Sequence, residues 1–297
     1  MAVLPAFEDR RVTVGDVTIA ASVGGEGPPL LLLHGYPQTR AMWHRVAPEL
    51  ARAFAVVAAD LRGYGDSDKP PGGPGHEAYS KRAMARDQVE LMAALGHERF
   101  AVAGHDRGGR VAHRMARDHP DRVTAACVLD ILPTATLLAR ADAAFATAYY
   151  HWFFLIQPDG LPERMIGADP EWFLRETVRR WSGDPEAHAE AAMAEYVRCF
   201  SDPAAIHASC EDYRAAASVD LDHDAIDAAR RVAVPMLALW GAHGAMGRMY
   251  DVLAAWREVA DDVQGHALEC GHFPAAEVPE ETAAALLTFV AEAGGSR

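Results

Sequence analysis

The sequence predicts an α/β fold, in which a mostly parallel β-sheet is flanked by helices and one helical segment is inserted between two strands. Three observations support this class. Short apolar runs that end in glycine, aspartate or histidine recur along the chain, they alternate with helical patterns, and the alternation is interrupted once. Continuous apolar runs are typical of parallel strands buried on both faces, and helices between them are typical of crossover connections.

The predicted elements follow one another in chain order. Two β-rich stretches lie around Arg11–Ala21, and further apolar runs end at Gly35, Asp60, Asp106, Asp130, Gly241 and His272. Helical patterns cover Ser80–Leu95 and Gly109–His119, and Pro120 closes the second. In open α/β sheets the ligand binds at the carboxyl ends of the strands, so polar residues at these ends are candidate site residues.

The interruption divides the chain into three parts. We expect a first part of the core over 1–132, a helical cap over 133–218 and a second part of the core over 219–297. The middle part lacks clean strand patterns and is rich in Ala, Trp and Tyr. It is too long for a loop, and a helical lid over the carboxyl ends of the strands is the simpler interpretation.

Composition excludes several classes of partner. The chain has 297 residues, half of them hydrophobic, and its net charge of −14 at pH 7 disfavours nucleic acid and anionic membrane surfaces. The four cysteines lack CxxC spacing, so reduced thiols are expected. No apolar run is long enough to span a membrane or to form a signal segment. We expect a soluble, cytoplasmic protein, and no residue pattern indicates a metal or an organic cofactor.

The most informative segment is GHDRGG at Gly104–Gly109, which lies between a predicted strand and a predicted helix. This is the context of a nucleophile elbow, with Asp106 where serine is usual. A carboxylate that attacks a saturated carbon leaves an ester, which activated water can hydrolyse. Asp106 therefore indicates displacement at a carbon–halogen bond or an epoxide. The alternative, an aspartate that only caps the helix, leaves the residues described next unexplained.

Asp106, Asp130 and His272 occur in the chain order nucleophile, acid, histidine that this type of elbow predicts. His272 is the candidate general base for water, and Asp130 is the candidate partner of its ring. The backbone amides of Tyr36 and Arg107 are the expected oxyanion-hole donors. Arg107 and Arg110 lie three residues apart on the helix, which suits binding of a small carboxylate. Surface salt bridges are the alternative interpretation of these two arginines.

Several motifs together carry a family resemblance over almost the whole chain. They are HGYPQT, DLRGYGDSDKP, GHDRGGR, VLDILPT, the pair His151-Trp152, Trp181, Tyr213 and ECGHFP. On these motifs the sequence resembles the fluoroacetate/haloacetate dehalogenases of the α/β-hydrolase fold. The resemblance implies a homodimer, His151, Trp152 and Tyr213 as halide donors, and Trp181 as a pocket-lining residue. One departure is Tyr36, where the family pattern HGFPQ has phenylalanine.

The resemblance implies hydrolysis of a haloacetate to glycolate and halide, with a small anionic haloacid and water as the substrates. An epoxide hydrolase is the nearest alternative, since Tyr213 with Tyr149 or Tyr150 could protonate an opening epoxide. A haloalkane dehalogenase would have tryptophan at the position of Arg107. A non-catalytic binding protein of the same fold would be expected to have lost part of the Asp106–Asp130–His272 set.

Overall fold

The computed structural model describes residues 3–295, which contain one eight-stranded sheet. The strands are β1 (Glu8–Val14), β2 (Val17–Gly24), β3 (Pro29–Leu33), β4 (Ala55–Ala59), β5 (Phe100–His105), β6 (Val123–Leu129), β7 (Met236–Gly241) and β8 (Val263–Leu268). Their order across the sheet is β1-β2-β4-β3-β5-β6-β7-β8. Only the pairings β1–β2 and β2–β4 are antiparallel among these strands. The predicted fold class is confirmed.

The helices lie between and after the strands. They are α1 (Ala47–Leu50), α2 (Lys81–Ala94), α3 (Asp106–Asp118), α4 (Thr134–Ala139), α5 (Ala143–Ala148), α6 (Tyr150–Leu155), α7 (Leu161–Gly167), α8 (Pro170–Trp181), α9 (Glu190–Phe200), α10 (Pro203–Ala216), α11 (Val219–Ile226), α12 (Ala245–Met249), α13 (Val252–Arg257), α14 (Pro274–Glu277) and α15 (Pro279–Gly295). Short 3-10 turns cover Arg40–Trp43, Glu77–Tyr79 and Pro185–Ala187. None of these helices combines the length and the hydropathy needed to cross a bilayer.

The core is built on the central strands. Leu30–Leu33 of β3 and the residues of β5 are almost completely buried, because parallel strands in the middle of the sheet are covered on both faces. The expectation of burial on both faces is wrong for β8. This strand lies at the edge of the sheet, and most of its residues are partly or fully exposed. One helix boundary also differs, since α3 begins at Asp106 rather than Gly109.

The segment between β6 and β7 is helical, as the missing strand patterns predict. It contains α4 to α11 and no strand among its described residues. In this segment α10 packs on α6 and α7, which brings two helices with candidate site residues into contact. The division into core and cap at residues 133 and 218 stays a prediction, and α11 lies just beyond the second boundary.

Candidate active site

Asp106 lies on a sharp turn between β5 and α3, with a φ of +43°. Two neighbouring glycines, Gly104 and Gly108, allow backbone segments near Asp106 to approach one another closely. A Cβ atom on Gly104 would lie 2.3 Å from the carbonyl oxygen of Gly108, and one on Gly108 would lie 2.4 Å from that of His34. The left-handed backbone at a non-glycine residue is strained, and such strain is common at functional sites. The sequence GHDRGG therefore forms the elbow that its position between strand and helix predicts.

The carboxylate of Asp106 is buried and charged. Its Oδ2 atom accepts a hydrogen bond from the backbone N–H of Tyr36 at 3.1 Å, and among the described residues Oδ1 accepts none. Burial alone would raise the pKa of Asp106, but the charges of His272, Arg107 and Arg110 outweigh it and lower this pKa. Oδ1 therefore belongs to an ionised carboxylate and has no hydrogen-bond partner in the described chain.

Asp130 and His272 form a buried pair. The ring Nδ1 of His272 donates to Oδ2 of Asp130 at 2.6 Å, while Oδ1 of Asp130 accepts from the N–H of Gly241 at 3.0 Å. Burial lowers the pKa of His272, but the hydrogen bond and charge of Asp130 and the charge of Asp106 raise it above its ordinary value. The pair thus has the orientation that a general base held by a carboxylate needs.

Arg107 is completely buried and is held by Asp212, a residue of α10. Its Nε and Nη2 atoms donate to the two carboxylate oxygens of Asp212, each at 2.8 Å, and Nη2 also donates to the Asp212 carbonyl oxygen. The remaining nitrogen, Nη1, is buried and has no hydrogen-bond partner in the described part of the chain. Asp212 thus leaves the Nη1 amino group of Arg107 open to a ligand.

Arg110 is also buried, and it makes no salt bridge with a carboxylate within residues 3–295. Its Nη1 atom donates to the Leu132 carbonyl oxygen at 3.0 Å and to Oγ1 of Thr134 at 2.9 Å, whereas Nε has no partner. Burial, together with the charge of Arg107, lowers the pKa of Arg110 to about 10. The alternative of surface salt bridges is wrong, since Arg107 and Arg110 are 0% and 4% exposed.

The three predicted halide donors come together beside these arginines. His151 and Trp152 lie on α6 and Tyr213 lies on α10, with the Tyr213 ring 5.6 Å from His151 and 5.4 Å from Trp152. The guanidinium of Arg107 lies 4.1 Å from the Tyr213 ring centre, and that of Arg110 lies 4.6 Å from the Trp152 ring centre. Cation–π contacts of this length hold charge and ring together.

The side chains of these three residues are buried. The Nδ1 atom of His151, Nε1 of Trp152 and the hydroxyl of Tyr213 have no hydrogen-bond partner among the described residues. Burial lowers the pKa of His151 to about 3, so its ring is neutral at pH 7 and one ring nitrogen carries a proton. The cluster therefore offers an imidazole, an indole and a phenol to an acceptor.

Two further aromatic residues connect these groups. The ring of Trp181 lies 4.4 Å from that of His151 and 5.4 Å from that of His272. The ring of Tyr36 lies 5.4 Å from that of Tyr213, and the Tyr36 hydroxyl is another buried group without a partner in the described chain. Tyr36 therefore adds a polar atom where phenylalanine would place none.

Sequence reasoning missed Asp212, although its neighbour Tyr213 was singled out. Asp212 also accepts a hydrogen bond from the Tyr64 hydroxyl at 2.7 Å and is paired with the ammonium group of Lys81. A buried arginine needs a counter-charge, and that rule alone could have predicted an acidic partner for Arg107. It could not have chosen among the 42 acidic residues of the chain.

Glu277 is a second residue that the sequence did not indicate. Its Oε2 atom accepts the backbone N–H groups of Gly271, Gly183 and Asp184 at 2.8–2.9 Å, and Oε1 accepts that of Phe273 at 3.1 Å. Gly271 and Phe273 flank His272, whereas residues 183 and 184 follow α8. One carboxylate thus ties the loop of the candidate base to the end of a helix in the inserted segment.

Comparisons with known proteins agree with this geometry. A family model described as alpha/beta hydrolase fold matches residues 28–277. The chain is 48% identical over 293 residues to a fluoroacetate dehalogenase from Burkholderia sp, with 97% of this chain and 95% of that protein covered. It is 38% identical over 274 residues to a soluble epoxide hydrolase from Corynebacterium sp. (strain C12), with 90% and 91% covered. A crystal structure of a protein described as an alpha/beta hydrolase, from Nostoc sp PCC 7120, has a TM-score of 0.95 and 57% identity, with 95% and 97% covered.

Proposed function

Since the chain belongs to the alpha/beta hydrolase fold family and is a hydrolase of that fold, we propose that it cleaves the carbon–halogen bond of haloacetates. The products are glycolate and halide, and fluoroacetate is among the substrates. Similarity to a fluoroacetate dehalogenase supports this substrate class.

One observation carries the proposal. Five side chains close to Asp106 or to its neighbouring arginines each have a buried nitrogen or oxygen atom without a partner in the described chain; they are Arg107, Arg110, His151, Trp152 and Tyr213. An unsatisfied buried donor costs about 1–3 kcal/mol. A small molecule with a carboxylate at one end and a halogen at the other would satisfy the two arginines with the first and the lid donors with the second.

In the first step, Oδ1 of Asp106 attacks the carbon that carries the halogen, and the carbon–halogen bond breaks with inversion. The substrate carboxylate is held by Nη1 of Arg107 and Nε of Arg110 through charge-assisted hydrogen bonds. The departing halide takes the electron pair and is stabilised by His151, Trp152 and Tyr213. Such donors matter most for fluoride, which is a poor leaving group and strongly hydrated in water.

In the second step, water attacks the carbonyl carbon of the Asp106 ester. His272 accepts one proton of this water, and the backbone N–H groups of Tyr36 and Arg107 hold the oxyanion. Collapse returns a proton from His272 to the glycolate oxygen, restores Asp106 and releases the other water proton to solvent. Esterification removes the Asp106 charge that helps to raise the pKa of His272, so the ring becomes a better-populated neutral base for this step.

Epoxide hydrolysis is the second candidate function, because one relative at 38% identity is an epoxide hydrolase. Tyr213 is buried, and burial raises the pKa values of Tyr213 and Tyr149 well above normal, so both phenols keep the proton that an opening epoxide needs. The arginines argue against it. A neutral epoxide offers no charge to Arg107 or Arg110, whose free N–H groups would stay unsatisfied.

A substrate panel with isotope labelling tests the proposal. The purified enzyme is supplied with fluoroacetate, chloroacetate and a styrene-type epoxide, and halide and diol are measured. We expect halide from the haloacids and little diol. In a single turnover in ¹⁸O-labelled water, the label should enter Asp106 and not glycolate. Diol formation without halide release would support the epoxide alternative, and direct labelling of glycolate would exclude the covalent route.

We also propose that the enzyme is a cytoplasmic homodimer. The four cysteines are free, as is usual in a reducing compartment. Sedimentation at micromolar concentration tests the dimer, and a monomer there would contradict it.

A further inference from the structure

A cavity of about 400 Å³ lies beside the candidate base, between the helical insertion and the loop that follows β7. Its lining includes His272, Trp181, Arg180, His243 and Arg248. Trp181 is only partly buried, whereas the donors behind it on α6 and α10 are at most 3% exposed. The cavity therefore borders the enclosed cluster at Trp181, whose ring lies 4.4 Å from that of His151.

The cations along this cavity differ in their partners. Arg180 is paired with Glu176 at 2.7 Å, and His243 lies 3.2 Å from a carboxylate oxygen of Glu269. Arg248, on α12, is exposed and has no ion pair or side-chain hydrogen bond within the described part of the chain. Arg248 thus contributes a positive charge to the cavity wall that no ion pair among residues 3–295 neutralises.

That charge matters because the whole protein repels anions. At a net charge of −14, an approaching carboxylate meets an unfavourable field over most of the surface. A cation beside an opening reverses the field locally and raises the concentration of anions there. The buried arginines are less suited to this, since Arg107 is paired with Asp212 and both arginines are enclosed.

We propose that this cavity is the entry route for the substrate and that Arg248 forms an outer binding site for its carboxylate. The inference rests on the proposed haloacid substrate. The carboxylate binds first at Arg248 and then moves past Trp181 to Arg107 and Arg110. Arg248 therefore affects capture of the substrate, and it touches neither the reacting carbon nor the halide.

The test is the salt dependence of kcat/KM for chloroacetate in an Arg248→Gln variant. One charge at a cavity mouth should change capture by about 3- to 10-fold at low ionic strength. The Debye length shortens from about 30 Å at 0.01 M salt to about 3 Å at 1 M, so the difference from the unmodified enzyme should close as salt is added. An Arg248→Glu variant should lose more, and kcat should stay the same in both.

Arg257 supplies the matched control. It is exposed at the end of α13, has no ion pair among the described residues and does not line the cavity. An Arg257→Gln variant makes the same change in net charge and should keep the original kcat/KM at all salt concentrations.

The outcomes separate this inference from the proposed function. Unchanged kcat/KM in Arg248→Gln at low salt, with chloroacetate still hydrolysed, overturns the entry route and leaves the dehalogenase proposal intact. A loss that is equal at low and high salt, or that falls on kcat, also overturns it. If the unmodified enzyme hydrolyses no haloacid, the proposed function fails and the inference falls with it.

Discussion

Replacing Asp212 by asparagine should weaken substrate binding through Arg107. Asp212 fixes two nitrogens of the Arg107 guanidinium at 2.8 Å and leaves Nη1 free. In the variant, the guanidinium loses its counter-charge and its orientation. A hydrogen bond from a charged group contributes about 1.5–3 kcal/mol. At 1.4 kcal/mol for each factor of ten, KM for chloroacetate should rise about 10- to 100-fold. The reacting groups themselves stay in place, so kcat should fall much less.

The same variant should lower the stability of the fold. Asp212 is buried between Arg107 and Lys81, so asparagine leaves two buried cations without their shared anion. Breaking a buried ion pair from one side costs about 3–5 kcal/mol. For a domain of this size each kcal/mol lowers Tm by about 2 °C, which predicts a decrease of roughly 6–10 °C.

Chloride release and thermal unfolding, measured on the same preparation, give both quantities. Asp220→Asn is the control, because Asp220 is also buried and accepts the backbone N–H of Lys81 at 2.8 Å, yet makes no hydrogen bond to Arg107. It should keep the original KM. Asp212→Glu retains the charge and should fold if asparagine does not, with KM still raised because the carboxylate is displaced. A folded Asp212→Asn enzyme with an unchanged KM would refute this role of Asp212.

Three other substitutions have defined outcomes. Activity should decline as pH falls through the raised pKa of His272, because only the neutral ring accepts a proton. Asp130→Asn should move this decline to lower pH and reduce kcat by about 10³–10⁴, and a pH–rate profile measures both effects. Arg110→Ala should raise KM for chloroacetate at least tenfold, and an unchanged KM would remove Arg110 from the carboxylate site. Tyr213→Phe should slow fluoride release far more than bromide release, and equal effects on both ions would remove this phenol from the halide site.

Much of the fold could be predicted because its signals are local. The continuous apolar runs of β3 and β5 identify buried parallel strands, and GHDRGG identifies the turn at Asp106. The position of β8 at the edge of the sheet could not be predicted from a local sequence pattern. The strand contains the polar residues Gln264 and His266, which the interpretation as a continuous apolar run disregarded, and its exposure also depends on which strand ends the sheet.

The sequence indicated the main residues of the candidate site, but it did not indicate the residues that hold them in position. The chain order of Asp106, Asp130 and His272 anticipates the pair that the structure brings to 2.6 Å, whereas their catalytic roles stay predictions. Asp212 was missed because its partner Arg107 is 105 positions away, and no local pattern links the two residues. Glu277 was missed because its carboxylate accepts hydrogen bonds from backbone N–H groups, which every residue except proline has, so the sequence does not identify the donors.

The covalent ester on Asp106 can be detected directly. A His272→Asn variant should form the ester and fail to hydrolyse it, since the side chain that accepts a proton from water is gone. The variant is allowed to react with chloroacetate, and the reaction is then quenched. Mass spectrometry should find one carboxymethyl group per chain, on the peptide that contains Asp106. A variant that releases a stoichiometric amount of chloride and carries no such group on Asp106 would contradict the mechanism.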